Sequence, residues 1–136
     1  MKTARDLMSS PAQTLSPSDT LNDAAAELAR HNVGSMPVVD GGLLVGVVTD
    51  RDIVVKGLAQ GHDPATTSVA DVASTGVISV TPDDDAAEVA RVLAEHQIRR
   101  VPVVEGHEVV GIISQADVAR ELDNSTAGEV VEKSSK

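Results

Sequence analysis

The sequence contains no cysteine and no phenylalanine, tyrosine or tryptophan. Without thiols there is no disulfide framework, thiol nucleophile or thiolate metal centre, and the chain suits a reducing compartment such as the cytoplasm. Without aromatic rings, a bound heterocyclic base has to be gripped by aliphatic side chains and backbone rather than by stacking. Basic residues are scarce as well: 11 Lys and Arg stand against 21 Asp and Glu, for a formal net charge of -10. That balance disfavours nucleic acid and anionic membranes as partners, while leaving room for a local anion pocket. No run approaches the ~18 apolar residues of a membrane span, and the polar stretch from Met1 to Ser10 lacks the apolar segment of a secretory signal. What is present is ordinary for a globular domain, with 41% hydrophobic and 24% charged residues in 136.

An internal repeat organises the chain. Met36-Pro37-Val38-Val39 returns as Val101-Pro102-Val103-Val104, and the offset of 65 also carries Gly46 onto Gly111, Asp52 onto Asp117, Leu28 onto Leu93 and His31 onto His96. Each copy reads as strand, helix, strand, strand, helix. The opening strands are expected at Ala12 to Leu15 and Val77 to Val80. Helices are expected from Thr20 to Asn32 and from Asp84 to Gln97, with Leu21, Ala24, Ala25 and Leu28 on one face of the first. Thr20 with Asp23, and Asp85 with Glu88, have capping-box spacing. Hairpins follow, Met36–Val39 with Leu43–Thr49 across Gly41-Gly42, and Val101–Val104 with Val109–Ser114 across Gly106-His107. Closing helices are expected from Arg51 to Ala59 and from Gln115 to Leu122. The organisation expected is a first repeat over residues 1–60, a connector over 61–67, a second repeat over 68–122 and a polar, disordered tail over 123–136. The fold class is α/β (α+β), two tandem repeats packed through their sheets with pseudo-twofold symmetry, because neither half alone buries much surface.

The sharpest chemical signal closes each hairpin: Gly46-Val47-Val48-Thr49-Asp50-Arg51-Asp52 and Gly111-Ile112-Ile113-Ser114-Gln115-Ala116-Asp117. A buried strand ends at a hydroxyl, and the helix that follows carries an Asp three positions later. Unpaired N–H groups at the helix start suit a phosphate, the hydroxyl can bond it, and the Asp can accept from a ribose diol. The same spacing also describes an ordinary helix cap, and the residues alone leave both readings open.

These endings, in this element order, resemble the CBS (cystathionine-β-synthase) domain family over residues 4–122. Thr49-Asp50-Arg51-Asp52-Ile53-Val54 and Glu95-His96-Gln97 are similar to a stand-alone actinobacterial member of it. The resemblance implies a non-catalytic regulatory module that binds AMP, ADP, ATP or S-adenosylmethionine in the cleft between repeats. It implies that Thr49 with Asp52, and Ser114 with Asp117, hold phosphate and ribose. Basic residues before the x-Pro-Val strand often meet phosphate in the family. Arg99 and Arg100 fit that role, whereas Gly34 and Ser35 in the first copy do not. The adenine is expected against aliphatic residues, Val77, Ile78, Val80 and Val103 in one site and Ala12, Leu15 and Val38 in the other. No cofactor is expected beyond such a regulatory ligand.

His31, His62, His96 and His107 lack close metal-ligand spacing, and no metal is expected. No nucleophile elbow, P-loop or dinucleotide-binding glycine pattern is present, so an enzyme is not expected. The remaining expectations are a homodimer, with Val54, Val55 and Leu58 as candidates for its surface unless they pack within the monomer, and a separate protein partner. The competing reading is a dimeric scaffold or stress-response protein with no nucleotide ligand.

Overall fold

The computed structural model describes residues 2–134. Four helices and four strands follow in the order α1 (Ala4–Leu7), α2 (Leu21–His31), β1 (Ser35–Asp40), β2 (Leu43–Thr49), α3 (Ala86–Glu95), β3 (Arg100–Glu105), β4 (Glu108–Ser114) and α4 (Gln115–Ser134). Between β2 and α3 lie a π-helical segment, Asp52–Gly57, and short 3₁₀ turns at Leu58–Gln60 and Val69–Asp71.

Local chemistry sets most of the boundaries. Thr20 caps α2 in a reciprocal box: its hydroxyl accepts from the Asp23 N–H at 3.1 Å, and the Asp23 carboxylate accepts from the Thr20 N–H at 3.0 Å. Asn32 ends the helix at φ 53°, a left-handed conformation that Asn tolerates. Asp85 caps α3 by accepting from the Glu88 N–H at 2.9 Å. On the exposed side of α3, Arg91 bonds Glu88 and Glu95, and its hydrogen bond holds the Glu88 carboxyl below the usual range. Gly41 and Gly42 turn the β1–β2 hairpin at φ 60° and 88°, the two positive dihedrals that a type I′ turn requires. The ladder of that hairpin slips between Val38 and Val39, leaving Val45 as an extra residue on β2.

The opening strands of the two copies shrink to one residue each. Leu15 donates to the Pro37 carbonyl and accepts from the Val39 N–H; Val80 does the same with Pro102 and Val104. Each forms a parallel bridge, Leu15 with Val38 and Val80 with Val103. Extending either ladder backward needs an N–H from Pro37 or Pro102, and extending it forward needs one from Pro17 or Pro82. Proline has none to give, so the strands expected at Ala12–Leu15 and Val77–Val80 do not form.

The first closing helix widens into the π-helical segment, where the Leu58 N–H reaches back to the Ile53 carbonyl. The second, α4, is a regular helix that continues through Ser134. The disordered tail expected from Asp123 onward is therefore helical to that point, and its last two residues lie outside the described ones. No proline interrupts residues 115–134 and glycine occurs there once, so helical dihedrals can propagate.

The chain divides into two compact units, and these do not coincide with the sequence repeats. One comprises Met1–Ala12, Ile78–Gly106 and Val110–Lys136; the other comprises Gln13–Val77 and His107–Val109. In the first, α1 runs beside the start of α3: the Ala4 N–H donates to the Asp84 carbonyl, the Ala86 N–H to the Lys2 carbonyl, and Ser9 and Ile112 exchange bonds. Its core holds Ala4, Val89, Leu93, Val101, Val103 and Ile113. In the second unit the equivalent bonds run from Leu21 to Thr67 and between Val47 and Ser74, around a core of Leu15, Leu21, Leu28, Val38 and Val48. The segment preceding each repeat has thus been taken up by the unit built on the other repeat, residue for equivalent residue.

Among the described residues, no helix is long and apolar enough to cross a membrane.

Candidate functional site

Each unit carries one strand-to-helix junction. In the first copy, the Thr49 hydroxyl accepts from the Asp52 N–H at 2.9 Å and the Asp52 carboxylate accepts from the Thr49 N–H at 3.0 Å. In the second, Ser114 and Asp117 make the same reciprocal pair at 3.1 and 3.2 Å. These are capping boxes, and at four further Ser or Thr residues, positions 3, 16, 20 and 81, the backbone N–H donates to the carboxylate of an acid three positions on. Thr/Ser-x-x-Asp is therefore the chain's general way of starting a helix or turn, not by itself the mark of a ligand.

The two junctions nonetheless keep chemistry to spare. A hydroxyl that accepts one bond still has its own proton to donate. Asp52, 8% exposed, uses its second oxygen at 3.2 Å from the Lys56 ammonium, which also bonds the Ser74 hydroxyl at 3.2 Å. Asp117 pairs with Arg120 on the next turn of α4. Both carboxylates are thus fixed in place by one cap and one ion pair, with an oxygen that can accept a further bond.

A backbone bond ties the start of each hairpin to the start of the helix that follows it. The Asp50 N–H donates to the Gly34 carbonyl at 2.9 Å, and the Gln115 N–H donates to the Arg99 carbonyl at 2.7 Å. In the second copy this sets Arg99 and Arg100 beside the first turn of α4. Both are exposed, and neither has a carboxylate within ion-pair distance among the described residues.

The aliphatic residues expected to face an adenine divide sharply. Leu15, Val38, Val80 and Val103 are core, at 3% exposure or less. Leu15 and Val38 belong to one core cluster, Val80 and Val103 to the other. Ala12, Val77 and Ile78 keep partial exposure, so an aliphatic contact is left to them. Val54, Val55 and Leu58 are only partly covered within the chain; they stand 54%, 40% and 50% exposed. His31 ends α2 with its Nε2 at 3.3 Å from Glu27, and among the described residues no group of three or more His, Cys, Asp or Glu is placed to hold a metal ion.

Residues that sequence reasoning missed surround the motif glycines. A Cβ on Gly111 would lie 2.4 Å from the Met8 sulfur, and one on Gly46 would lie 3.0 Å from the Ser74 carbonyl oxygen. Each motif opens with glycine because a neighbouring segment crosses the strand there. The recurrence of glycine at one offset, inside a strand, was the available signal.

The model of the CBS domain matches residues 4–57 and 69–124. Hypoxic response protein 1 of Mycobacterium tuberculosis is 42% identical over 123 residues, covering 90% of this chain and 86% of that protein. A crystal structure of Hypoxic Response Protein I with two coordinated zinc ions superposes with a TM-score of 0.80 at 41% identity, covering 88% of this chain and 98% of that one. The CBS domain pair of protein MJ0100, solved with 5′-methylthioadenosine and S-adenosyl-L-methionine, gives 0.77 at 31% identity over 92% and 98%. CBSX2 of Arabidopsis thaliana in complex with AMP gives 0.79 at 26% identity over 93% and 99%.

Proposed function

The chain belongs to the CBS domain family, and from that premise we propose that it is a non-catalytic regulatory module whose strand-to-helix junctions bind an adenosine-containing ligand. The observation that carries the reading is the second junction: the Ser114 hydroxyl, the Asp117 carboxylate and the start of α4 stand beside two exposed arginines that have no acidic partner among the described residues. A helix start and arginines supply what a phosphate needs, and a fixed carboxylate accepts from vicinal hydroxyls. Exposed arginines beside a helix start favour an anionic group even in a chain of net charge -10. Relatives solved with AMP, and with 5′-methylthioadenosine and S-adenosyl-L-methionine, support the ligand class.

Binding acts by population shift. A ligand that prefers one conformation of the module stabilises it, and a separate protein reads the difference. We place the module as a homodimer, its contact built on Val54, Val55 and Leu58, because three apolar side chains so exposed on one short segment are unusual on a free surface.

A second reading is favoured by a specific observation. Both hydroxyl–carboxylate pairs are internally satisfied as caps, with ion pairs on the remaining oxygens. A scaffold with no ligand needs nothing more from those residues.

Thermal unfolding by circular dichroism separates the two, with AMP, ADP, ATP, S-adenosylmethionine, NAD and GMP as the panel. A ligand at about 100 times its Kd adds roughly 2.7 kcal/mol, which for a domain of this size raises the midpoint by about 8–10 °C. Asp52→Ala and Asp117→Ala each lower the baseline by roughly 1 kcal/mol through the lost cap, so each shift is read against the variant's own midpoint. A shift with an adenosine compound that vanishes in one Asp variant supports the sensor. No shift across the panel leaves the scaffold.

A further inference from the structure

The two junctions carry the same hydroxyl–carboxylate pair but differ in charge at the helix start, and that difference, which rests on the ligand reading above, points to a division of labour. In the second copy the two equivalent positions are Arg99 and Gln115. In the first they are Gly34 and Asp50. The same backbone bond joins each pair, at 2.7 and 2.9 Å. The Asp50 carboxylate takes up the Arg51 N–H at 2.8 Å through Oδ1. Its Oδ2 lies 3.4 Å from where a Cβ on Gly34 would sit. The side chain therefore folds back over residue 34, against the ground from which Arg99 projects in the other copy. It also uses an N–H of the helix start that an incoming anion would want.

The neighbouring positions extend the contrast. Ser35 corresponds to Arg100, and Arg51 to Ala116. The four first-copy residues Gly34, Ser35, Asp50 and Arg51 sum to zero charge, whereas Arg99, Arg100, Gln115 and Ala116 sum to +2. Arg51 offsets Asp50 in the sum, but it projects from the helix one position later. The carboxylate, not the guanidinium, is the group held against the hairpin start.

We propose that Asp50 is a specificity residue that closes the first junction to phosphate. That junction then accepts adenosine compounds that are neutral or cationic at the 5′ substituent, such as adenosine or a sulfonium, while the second takes phosphate monoesters. A fixed negative charge beside an incoming phosphate weakens binding roughly ten- to a hundredfold at the effective dielectric of a protein surface.

The test is calorimetric titration of AMP and of adenosine into the full chain, its Asp50→Asn variant and its Asp117→Ala variant. Asn keeps the carbonyl that accepts from the residue 51 N–H, so the local turn is retained. The wild-type chain is expected to bind one AMP, lost in Asp117→Ala, and to bind adenosine at the first junction as well. Asp50→Asn is expected to tighten AMP at the first junction by tenfold or more, with the gain shrinking as salt is raised. Two AMP of like affinity on the wild-type chain, or AMP retained in Asp117→Ala, would overturn the assignment. So would an Asp50→Asn chain whose AMP binding is unchanged, or adenosine that never fills the first junction. If neither compound binds any of the three proteins, the ligand reading itself fails and the assignment falls with it; in the other adverse outcomes that reading survives.

Discussion

Replacing Gly111 by Ala tests whether the N-terminal segment crosses β4 as described. Its φ lies outside the left-handed region, so an alanine backbone fits, and with nothing in the way the exchange would stabilise by roughly 0.4–1 kcal/mol through the unfolded chain. Here a Cβ meets the Met8 sulfur at 2.4 Å, its Cγ at 2.7 Å and its Cβ at 2.9 Å. The outer atoms of Met8 can swing aside, but the Cβ moves only with the backbone that bridges Ser9 to Ile112. Overpacking of this kind costs about 1–3 kcal/mol, enough to reverse the sign. At roughly 3–5 °C per kcal/mol for a chain of this length, the net loss of up to about 2.6 kcal/mol lowers the midpoint by up to about 13 °C. Circular dichroism is the assay, since the chain has no aromatic fluorophore. Met8→Ala removes two of the three short contacts, so the cost of Gly111→Ala in that background should drop by about 1 kcal/mol or more, read as coupling in a double-mutant cycle. A stabilised Gly111→Ala, or an equal cost in both backgrounds, would refute the crossing.

Two further outcomes follow from the same structure. Deleting residues 2–9 should abolish hydrogen-exchange protection around Val89 and Ile113 while leaving Leu28 and Val48 protected, because the segment's backbone bonds among the described residues tie it to the unit of Val89 and Ile113; loss confined to residues 21–49 would contradict the exchange of segments. Val54→Asp with Leu58→Asp should shift the proposed dimer to monomer in sedimentation; a dimer that persists would move the contact elsewhere.

Where interactions are local, the sequence was sufficient. The offset of 65 gave the repeat, and Thr20 with Asp23, Asn32, Asp85 and the Gly41-Gly42 turn gave boundaries within a residue or two, because caps and tight turns are decided by neighbours along the chain. The opening strands failed for a reason also written there: Pro17, Pro37, Pro82 and Pro102 remove the donors, but only once the parallel register is known. The hydroxyl–carboxylate pairs and the two arginines were legible as candidates, and their geometry as caps was the alternative already open.

Other features were set by contacts between residues far apart in the chain. Nothing in residues 2–9 or 67–74 says which repeat each will join, since the two segments are alike and either match satisfies the local pattern. The core packing decides it. Volumes show the same dependence: a Cβ on Gly57 would lie 2.7 Å from Leu21, and at the equivalent positions the sizes are exchanged, Leu122 for Gly57 and Ala86 for Leu21. The sequence by itself determined the repeat, its main helices and hairpins and the residues proposed to meet a ligand. Tertiary structure decided which of those residues are sealed in the cores and which apolar side chains stay exposed. It also decided that Asp50 folds over Gly34, because close packing and charge placement are settled only when distant segments meet.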